Sequence, residues 1–379
     1  MYELIDKYIE KLITKSTPDC PLWNIEAIRA GKKPNWNYVD GCMMTSLLDL
    51  YRQTKDEKYL NFVIKYIDSF VMEDGHIRTY DYTKYSTDDM CESRVLFDLY
   101  KLTKNEKYKK AIENTYIQIE GQPRTKEGNF WHKKIYPNQV WLDGLFMAQV
   151  FYMRYETEFN NMKNYNDIVN QFKNVRKHMY DEKKHLYYHG YDAEHEMFWA
   201  DKKTGLSKNF WLRACGWYTV ALVDICGYID EQMYDEYRFF TGLLKETIDG
   251  LLEYQDNDSK MFWQVIDQPG REGNYLETSG SAMISYAILK AVRLGILPNR
   301  YQQIGLDIFN GICKRYLTEK DGDLNVGGIC LVAGLGPSDN LRRDGTYEYY
   351  ISEPVVENDA KGVGPLIMAY TEVIKVLKK

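Results

Sequence analysis

At 379 residues, with 44% hydrophobic and 27% charged residues, the chain holds enough apolar material for a large core and falls outside the disordered class. Its net charge is −6, with Lys and Arg scattered rather than massed, which excludes the basic footprint of a nucleic-acid binder. No apolar run reaches membrane-spanning length, so no membrane partner is expected, and a small anionic ligand would be held by a few local basic residues.

The first predicted element is an amphipathic helix at about 2–15, without the basic start, apolar run and small-residue cleavage site of an export signal. The seven cysteines (Cys20, Cys42, Cys91, Cys215, Cys226, Cys313, Cys330) are odd in number and widely spaced, which suits buried thiols in a reducing compartment. A cytoplasmic location is the expectation. Aromatics reach 15%, with 33 Tyr and 8 Trp, many of them between the apolar helical runs, where such rings suit the lining of a sugar site.

An internal repeat organises the rest of the chain. Residues 51–59 read YRQTKDEKY and residues 100–108 read YKLTKNEKY, 49 residues apart, and each copy joins an apolar helical run to a second helix. Aromatic or polar loops followed by apolar helices recur near Trp36, Tyr85, Trp141, Trp211, Glu277 and Asn358. The first five give helix pairs at 41–53 and 56–72, 88–103 and 106–119, 142–156 and 162–180, 213–229 and 233–254, 279–294 and 298–317. The sixth gives one helix near 361–377, which pairs with the helix at 2–15 and closes a ring. The predicted fold is all-α, an (α/α)6 toroid of six helical hairpins in a single domain spanning 1–379. The first helix of each pair, as in LFMAQVFYMRY, is apolar or small nearly all round and belongs inside; the second carries a charged face and belongs outside. An open helical solenoid is the alternative, and it would offer a binding surface rather than a closed pocket.

In a ring of hairpins the loops entering the inner helices gather at one mouth. They contain WNYVDG (36–41), YSTDDM (85–90), FWHKKIYPNQVWLDGLFM (130–147), YYHGYD (187–192), FWLRACGW (210–217), NYLETSGS (274–281) and a segment at 348–365. Asp143 stands out, a carboxylate starting an inner helix beside Trp141, Leu142, Leu145, Phe146 and Met147. Apolar neighbours favour the neutral acid, the form that general-acid catalysis on a sugar requires. The residues alone leave a helix cap equally open. Asp88 begins the neighbouring inner helix, with the same two readings, and a carboxylate pair at a mouth suits glycoside chemistry. His132, Lys133, His189 and Arg213 are the other polar candidates, with Trp217 one turn beyond Arg213; a structural histidine is the commoner role for each His. Arg213 and Lys133 lie among aromatics with no acidic run nearby, which calls for an anionic partner. Asn37 and Tyr38 offer a hydrogen bond and a stacking face, with plain Tyr packing the simpler account. His185 and His189 have i, i+4 spacing but sit in a turn-like KKHLYYHGYD, and there is no phosphate-cradling glycine loop or nucleophile elbow, so no metal or nucleotide cofactor is expected.

The segments FWHKKIYPNQVWLDGLFM, KNFWLRACGW, NYLETSGSAM and YEYYISEPVVENDAKGVG resemble those of the unsaturated rhamnogalacturonyl hydrolases, glycoside hydrolase family 105, across nearly the whole chain. The resemblance implies a six-hairpin toroid that removes the 4,5-unsaturated galacturonyl group left by pectin lyases on short oligosaccharides. It implies that Asp143 protonates carbon 4 of the enol ether while water adds at carbon 5, so one acid/base suffices and Asp88 becomes a supporting ligand. By motif the binding residues would be Asn37, Tyr38, Asp88, His132, Lys133, Tyr136, Arg213 and Trp217, with His189 close by. YSTDDM departs from the usual Leu-Asp-x-Ile form, which sets Asp88 against Asp89 for that role. The loop VAGLGPSDNLRRDG (332–345) would shape the leaving-group side. An unsaturated glucuronyl hydrolase acting on ulvan or glycosaminoglycan fragments, and a non-catalytic helical-repeat binding protein, are the alternative functions.

Overall fold

The computed structural model describes residues 2–378. Among the described residues, twelve helices of ten residues or more carry the fold: α1 (Tyr2–Lys15), α2 (Tyr38–Thr54), α3 (Glu57–Ile67), α4 (Arg94–Thr103), α5 (Glu106–Gly121), α6 (Val150–Phe159), α7 (Tyr165–Met179), α8 (Leu212–Tyr228), α9 (Tyr234–Leu252), α10 (Thr278–Arg293), α11 (Arg300–Tyr316) and α12 (Ala360–Leu377). Strand is confined, among those residues, to five two-stranded antiparallel ribbons. The chain is mostly helical, as its apolar periodicity predicts, and no helix of the described residues is long and apolar enough to cross a membrane.

The repeated motif is a hairpin turn written twice in the same chemistry. In the first copy Lys55 ends α2 in the left-handed region (φ 62°), and Asp56 caps α3 by accepting from the Lys58 N–H. In the second, Lys104 ends α4 at φ 57° and Asn105 caps α5 by accepting from the Lys107 N–H. The tyrosines complete it: Tyr51 donates to Glu57 at 3.3 Å and Tyr100 to Glu106 at 3.2 Å. A short turn of this kind folds the second helix back against the first.

Burial separates two sets of helices. Every residue from 212 to 226 in α8 is buried, as is every residue from 360 to 373 in α12. In α7 and α11 only one stripe is buried. The buried helices pack in sequence: α2 lies against α4 and α12, α12 against α10, α10 against α8, and α8 against α6. Glycine sets two of these approaches, because a Cβ on Gly41 would stand 2.7 Å from the Glu92 Cα and one on Gly364 would stand 3.0 Å from the Cys42 backbone. At the termini Tyr370 of α12 donates to Asp6 of α1 at 2.9 Å.

Away from the loops that enter them, the six buried helices are tied by ion pairs. Arg52 of α2 pairs with Asp98 of α4, which also accepts from Arg154 of α6. Arg94 of α4 pairs with Asp224 of α8, which takes Lys290 of α10 at 2.7 Å. Arg293 of α10 holds Glu372 of α12 at 2.7 Å. Burial pushes the Asp224 carboxyl up, but Lys290 and Arg94 outweigh it and hold it below the ordinary carboxylate range.

Three predicted helices differ from expectation: the one expected at 56–72 ends at Ile67, and two others are interrupted near their starts. The helix expected at 88–103 is broken into Thr87–Met90, a 3₁₀ turn at Cys91–Ser93, and α4; at the break the Glu92 carboxylate reaches back to the Asn37 N–H at 3.0 Å. The helix expected at 142–156 starts as a turn at Leu142–Gly144, widens to a π-helical turn at Leu145–Gln149 and only then continues as α6. Six of the seven cysteines are buried free thiols; Cys20 is exposed, contrary to expectation, because it lies in the loop after α1.

Candidate active site

A short ribbon places Asp143. Strand β1 (Gln139–Trp141) pairs antiparallel with β2 (Gly190–Asp192), Trp141 opposite Gly190, and the Leu142 N–H donates to the His189 carbonyl at 3.1 Å. That register, continued one residue past the ribbon, sets His189 opposite Leu142 and so next to Asp143. The Asp143 Oδ2 and His189 Nε2 are 3.2 Å apart, though not aligned as a hydrogen bond. His189 is fully buried, and its Nδ1 meets the Tyr350 hydroxyl at 2.7 Å. Burial holds the Tyr350 phenol well above its ordinary range, so it stays protonated.

The carboxylate of Asp143 takes no hydrogen bond from the backbone among the described residues, and the turn Leu142–Gly144 that holds it has no side-chain cap. Asp143 is therefore not engaged as a helix cap. Its side chain is 11% exposed.

Trp141 is the partition of the site. Its ring stacks on His132 at 4.3 Å and Tyr136 at 4.8 Å, and meets His189 edge-on at 5.4 Å. His132 is held neutral, its imidazole pushed down to about 4 by burial even with Asp88 3.5 Å away. Asp88 takes Lys133 at 2.5 Å. Burial works against its charge, but Lys133, His132 and Arg343 together keep the Asp88 carboxyl below the ordinary range. Asp89, burdened by burial and by Asp88, is pushed up to about 7. Of the two, Asp88 lines a cleft of about 390 Å³ with Asn37, Tyr38, Lys133 and Arg343, and Asp89 does not.

The sequence model of Glycosyl Hydrolase Family 88 matches residues 8–377. The chain belongs to that family. A solved family 105 glycoside hydrolase from C. acetobutylicum is 41% identical over 99% of both chains, with a TM-score of 0.90, so the family 105 resemblance holds. The unsaturated rhamnogalacturonyl hydrolase YesR of Bacillus subtilis is 26% identical over 276 residues, 68% of this chain and 72% of its own. An unsaturated glucuronyl hydrolase of Bacillus sp. GL1, responsible for the degradation of glycosaminoglycan, shares the fold at a TM-score of 0.65 and 12% identity, over 97% of this chain and 96% of its own.

In this family 88 chain the remaining candidates divide. Arg213 is buried, its Nε donating to Ser279 at 2.9 Å and its Nη2 to the Cys330 carbonyl, with the buried Glu277 carboxylate 3.9 Å away. Its charge thus has an internal partner, a correction to the expectation that only a ligand balances it. Trp217 stacks on Phe146 at 4.4 Å and touches Tyr38 edge-on at 6.3 Å, packed in the core between α8 and the π-helical turn. Many of the inter-helix aromatics behave likewise: Trp23, Trp36, Trp199 and Trp211 are buried in full rather than lining the mouth. His185 sits in a turn at φ 54° against Glu253, apart from His189 in role as well as conformation. Sequence reasoning passed over Tyr350, Glu277 and Arg343 as site residues, since neither motif spacing nor periodicity marks a hydroxyl, a buried cap or one Arg of an RRD triplet.

Asn37 caps α2, its side chain accepting from the Val39 N–H at 2.9 Å while it lines the cleft. Asn37→Ala is expected to cost about 1 kcal/mol of stability and Asn37→Asp to cost little, read from urea denaturation midpoints.

Proposed function

We propose that this chain is a single catalytic domain, a closed (α/α)6 toroid, that removes a 4,5-unsaturated galacturonyl residue from a rhamnogalacturonan-derived disaccharide or short oligosaccharide. The order of packing among the buried helices supports the ring, and the named activity of YesR supports the substrate class. The observation that carries the chemistry is Asp143: a nearly buried carboxylate whose Oδ2 has no hydrogen-bond partner among the described residues and lies 3.2 Å from a buried histidine.

In the proposed reaction Asp143, in its acid form, gives a proton to carbon 4 of the enol ether. The double-bond electrons form the new C–H bond, and the positive charge at carbon 5 is shared with the ring oxygen. Water adds at carbon 5 and loses its proton to the Asp143 carboxylate, which restores the acid. The hemiketal then opens to a ketone, and the freed hemiacetal at carbon 1 expels the neighbouring sugar. In the tautomer where Tyr350 donates to His189 Nδ1, one of the two that their 2.7 Å contact allows, the ring proton sits on Nε2 and faces the carboxylate as it becomes charged. No second carboxylate needs to attack carbon 1, which leaves Asp88, neutralised by Lys133, as a ligand for sugar hydroxyls.

The enol ether absorbs in the ultraviolet, so the test is its decay across lyase digests. Consumption of the rhamnogalacturonan digest is the expected result. Faster consumption of glycosaminoglycan or ulvan digests would move the substrate to an unsaturated glucuronyl sugar, and binding without loss of absorbance would leave a non-catalytic binding protein.

A further inference from the structure

The loop at 332–345 is fastened across Trp141 at several points. Leu335 is fully buried in a cluster with Tyr136, Trp141 and Trp199. Trp199 Nε1 donates to the Gly336 carbonyl at 3.1 Å, the Gly334 N–H donates to the Tyr349 hydroxyl at 2.9 Å, and Asn209 Nδ2 donates to the Gly345 carbonyl at 2.8 Å. Within the loop the Gly336 N–H donates to the Arg343 carbonyl at 2.8 Å. These anchors make the loop a built wall of the site.

Its three adjacent charges are used differently. Arg342 pairs with Glu353 at 2.7 Å, and Asp344 accepts from the Thr346 N–H at 2.9 Å and hydroxyl at 2.7 Å. Arg343 has no carboxylate within ion-pair distance and no side-chain hydrogen bond among the described residues. A Cβ on Gly334 would lie 3.2 Å from both the Arg343 Nη1 and the Trp141 ring, so the absent side chain there is what lets the guanidinium lie beside Trp141.

Arg343 lines the same cleft as Asp88 and Lys133. Lys133 is committed to Asp88 at 2.5 Å, and Lys33, also on the cleft, pairs with Asp19 at 3.2 Å. Lys32, exposed on the cleft's outer rim, forms no ion pair among the described residues. The cleft therefore has two cations without an ion pair among the described residues, Arg343 in its wall and the exposed Lys32. Asp143 is not on its lining, and the cleft is bordered instead by Asp88 and Lys133. A sugar ring held at Asp143 leaves that space to whatever is attached to it.

Resting on the proposed hydrolase reading, we propose that Arg343, with Lys32 at the rim, binds a carboxylate on the leaving portion of the substrate. The enzyme would then favour fragments with a second uronic acid beyond the cleaved bond over fragments whose leaving sugar is neutral. An unpaired guanidinium beside a low-dielectric aromatic wall strengthens a two-pronged bond to a carboxylate.

The test compares two unsaturated substrates, the galacturonyl-rhamnose disaccharide and the galacturonyl-rhamnosyl-galacturonyl-rhamnose tetrasaccharide. The wild-type kcat/KM is expected to favour the tetrasaccharide by about 10-fold through KM, the scale of one charge-assisted hydrogen-bonded contact. Arg343→Gln is expected to bring that ratio near one, Arg343→Lys to keep part of it, and added salt to shrink the wild-type ratio. A wild-type ratio near one, an unchanged ratio in Arg343→Gln, or an equal loss on both substrates would overturn the proposal. If the wild type consumes neither substrate, the hydrolase reading itself falls, and this inference with it.

Discussion

Asp143→Asn is expected to lower kcat on the unsaturated disaccharide by about 10³-fold, the upper part of the range for positioned general acids, with KM changed by less than about 3-fold. The amide matches the carboxylate in size and adds no charge to the pocket, but it has no proton acidic enough to give to carbon 4. The variant also separates the two readings that the sequence leaves open. Asn caps a helix as well as Asp does, so a capping Asp143 would tolerate the change in both stability and rate. In the structure the carboxylate accepts nothing from the backbone, so folding should be nearly indifferent while turnover collapses. A rate within about 10-fold of wild type would exceed what loss of a general acid permits and would sink the assignment. His189→Gln should fall between the two, because it removes a neighbour of the acid rather than the acid.

How much of this was legible in the chain depends on the range of the interaction. The hairpins were legible because their signals are local: an apolar run, then Thr-Lys-Asp or Thr-Lys-Asn, where a left-handed Lys and a cap follow one another. The start of α12 was placed within one residue for the same reason, with Asp359 accepting from the Lys361 N–H. Asp143 could be singled out from its WLDG context but not given a role, because the deciding facts are contacts with His189 and, through it, Tyr350, 46 and 207 residues further along the chain. Arg213 shows the converse. Its aromatic surroundings suggested a cation waiting for a ligand, whereas Glu277 lies beside it across two inner helices, and no spacing rule reports that proximity. The broken helix around Glu92 has the same origin: the carboxylate satisfies an N–H 55 residues earlier, so a tertiary bond competes with helical continuity.

The larger stability effect belongs to the opposite end of the buried helices. Asp224→Asn is expected to destabilise the fold by about 3–5 kcal/mol, the cost of breaking a buried ion pair while leaving its cations in place. Asp224 is 2% exposed and joins three helices: Arg94 of α4 on one oxygen, and Lys290 and Tyr286 of α10 on the other at 2.7 and 2.8 Å. The amide keeps the volume, so no cavity confuses the result, but two buried cations lose their counter-charge. The pH dependence gives a second reading of the same cause. Because Lys290 and Arg94 hold the folded carboxyl below its ordinary value against burial, its contribution is present above the unfolded value of about 3.9 and is lost as pH falls through the folded one. Wild type should therefore lose its margin over Asp224→Asn on acidification through that window, measured as the gap between urea midpoints at pH 7 and near pH 3. Replacing the whole cluster by Asp224→Leu, Arg94→Met and Lys290→Met should recover much of the loss, since well-packed apolar side chains of similar size carry no desolvation penalty. If the single change costs less than about 1 kcal/mol, the cations have found solvent, and the ties among α4, α8 and α10 are not what holds those helices in register.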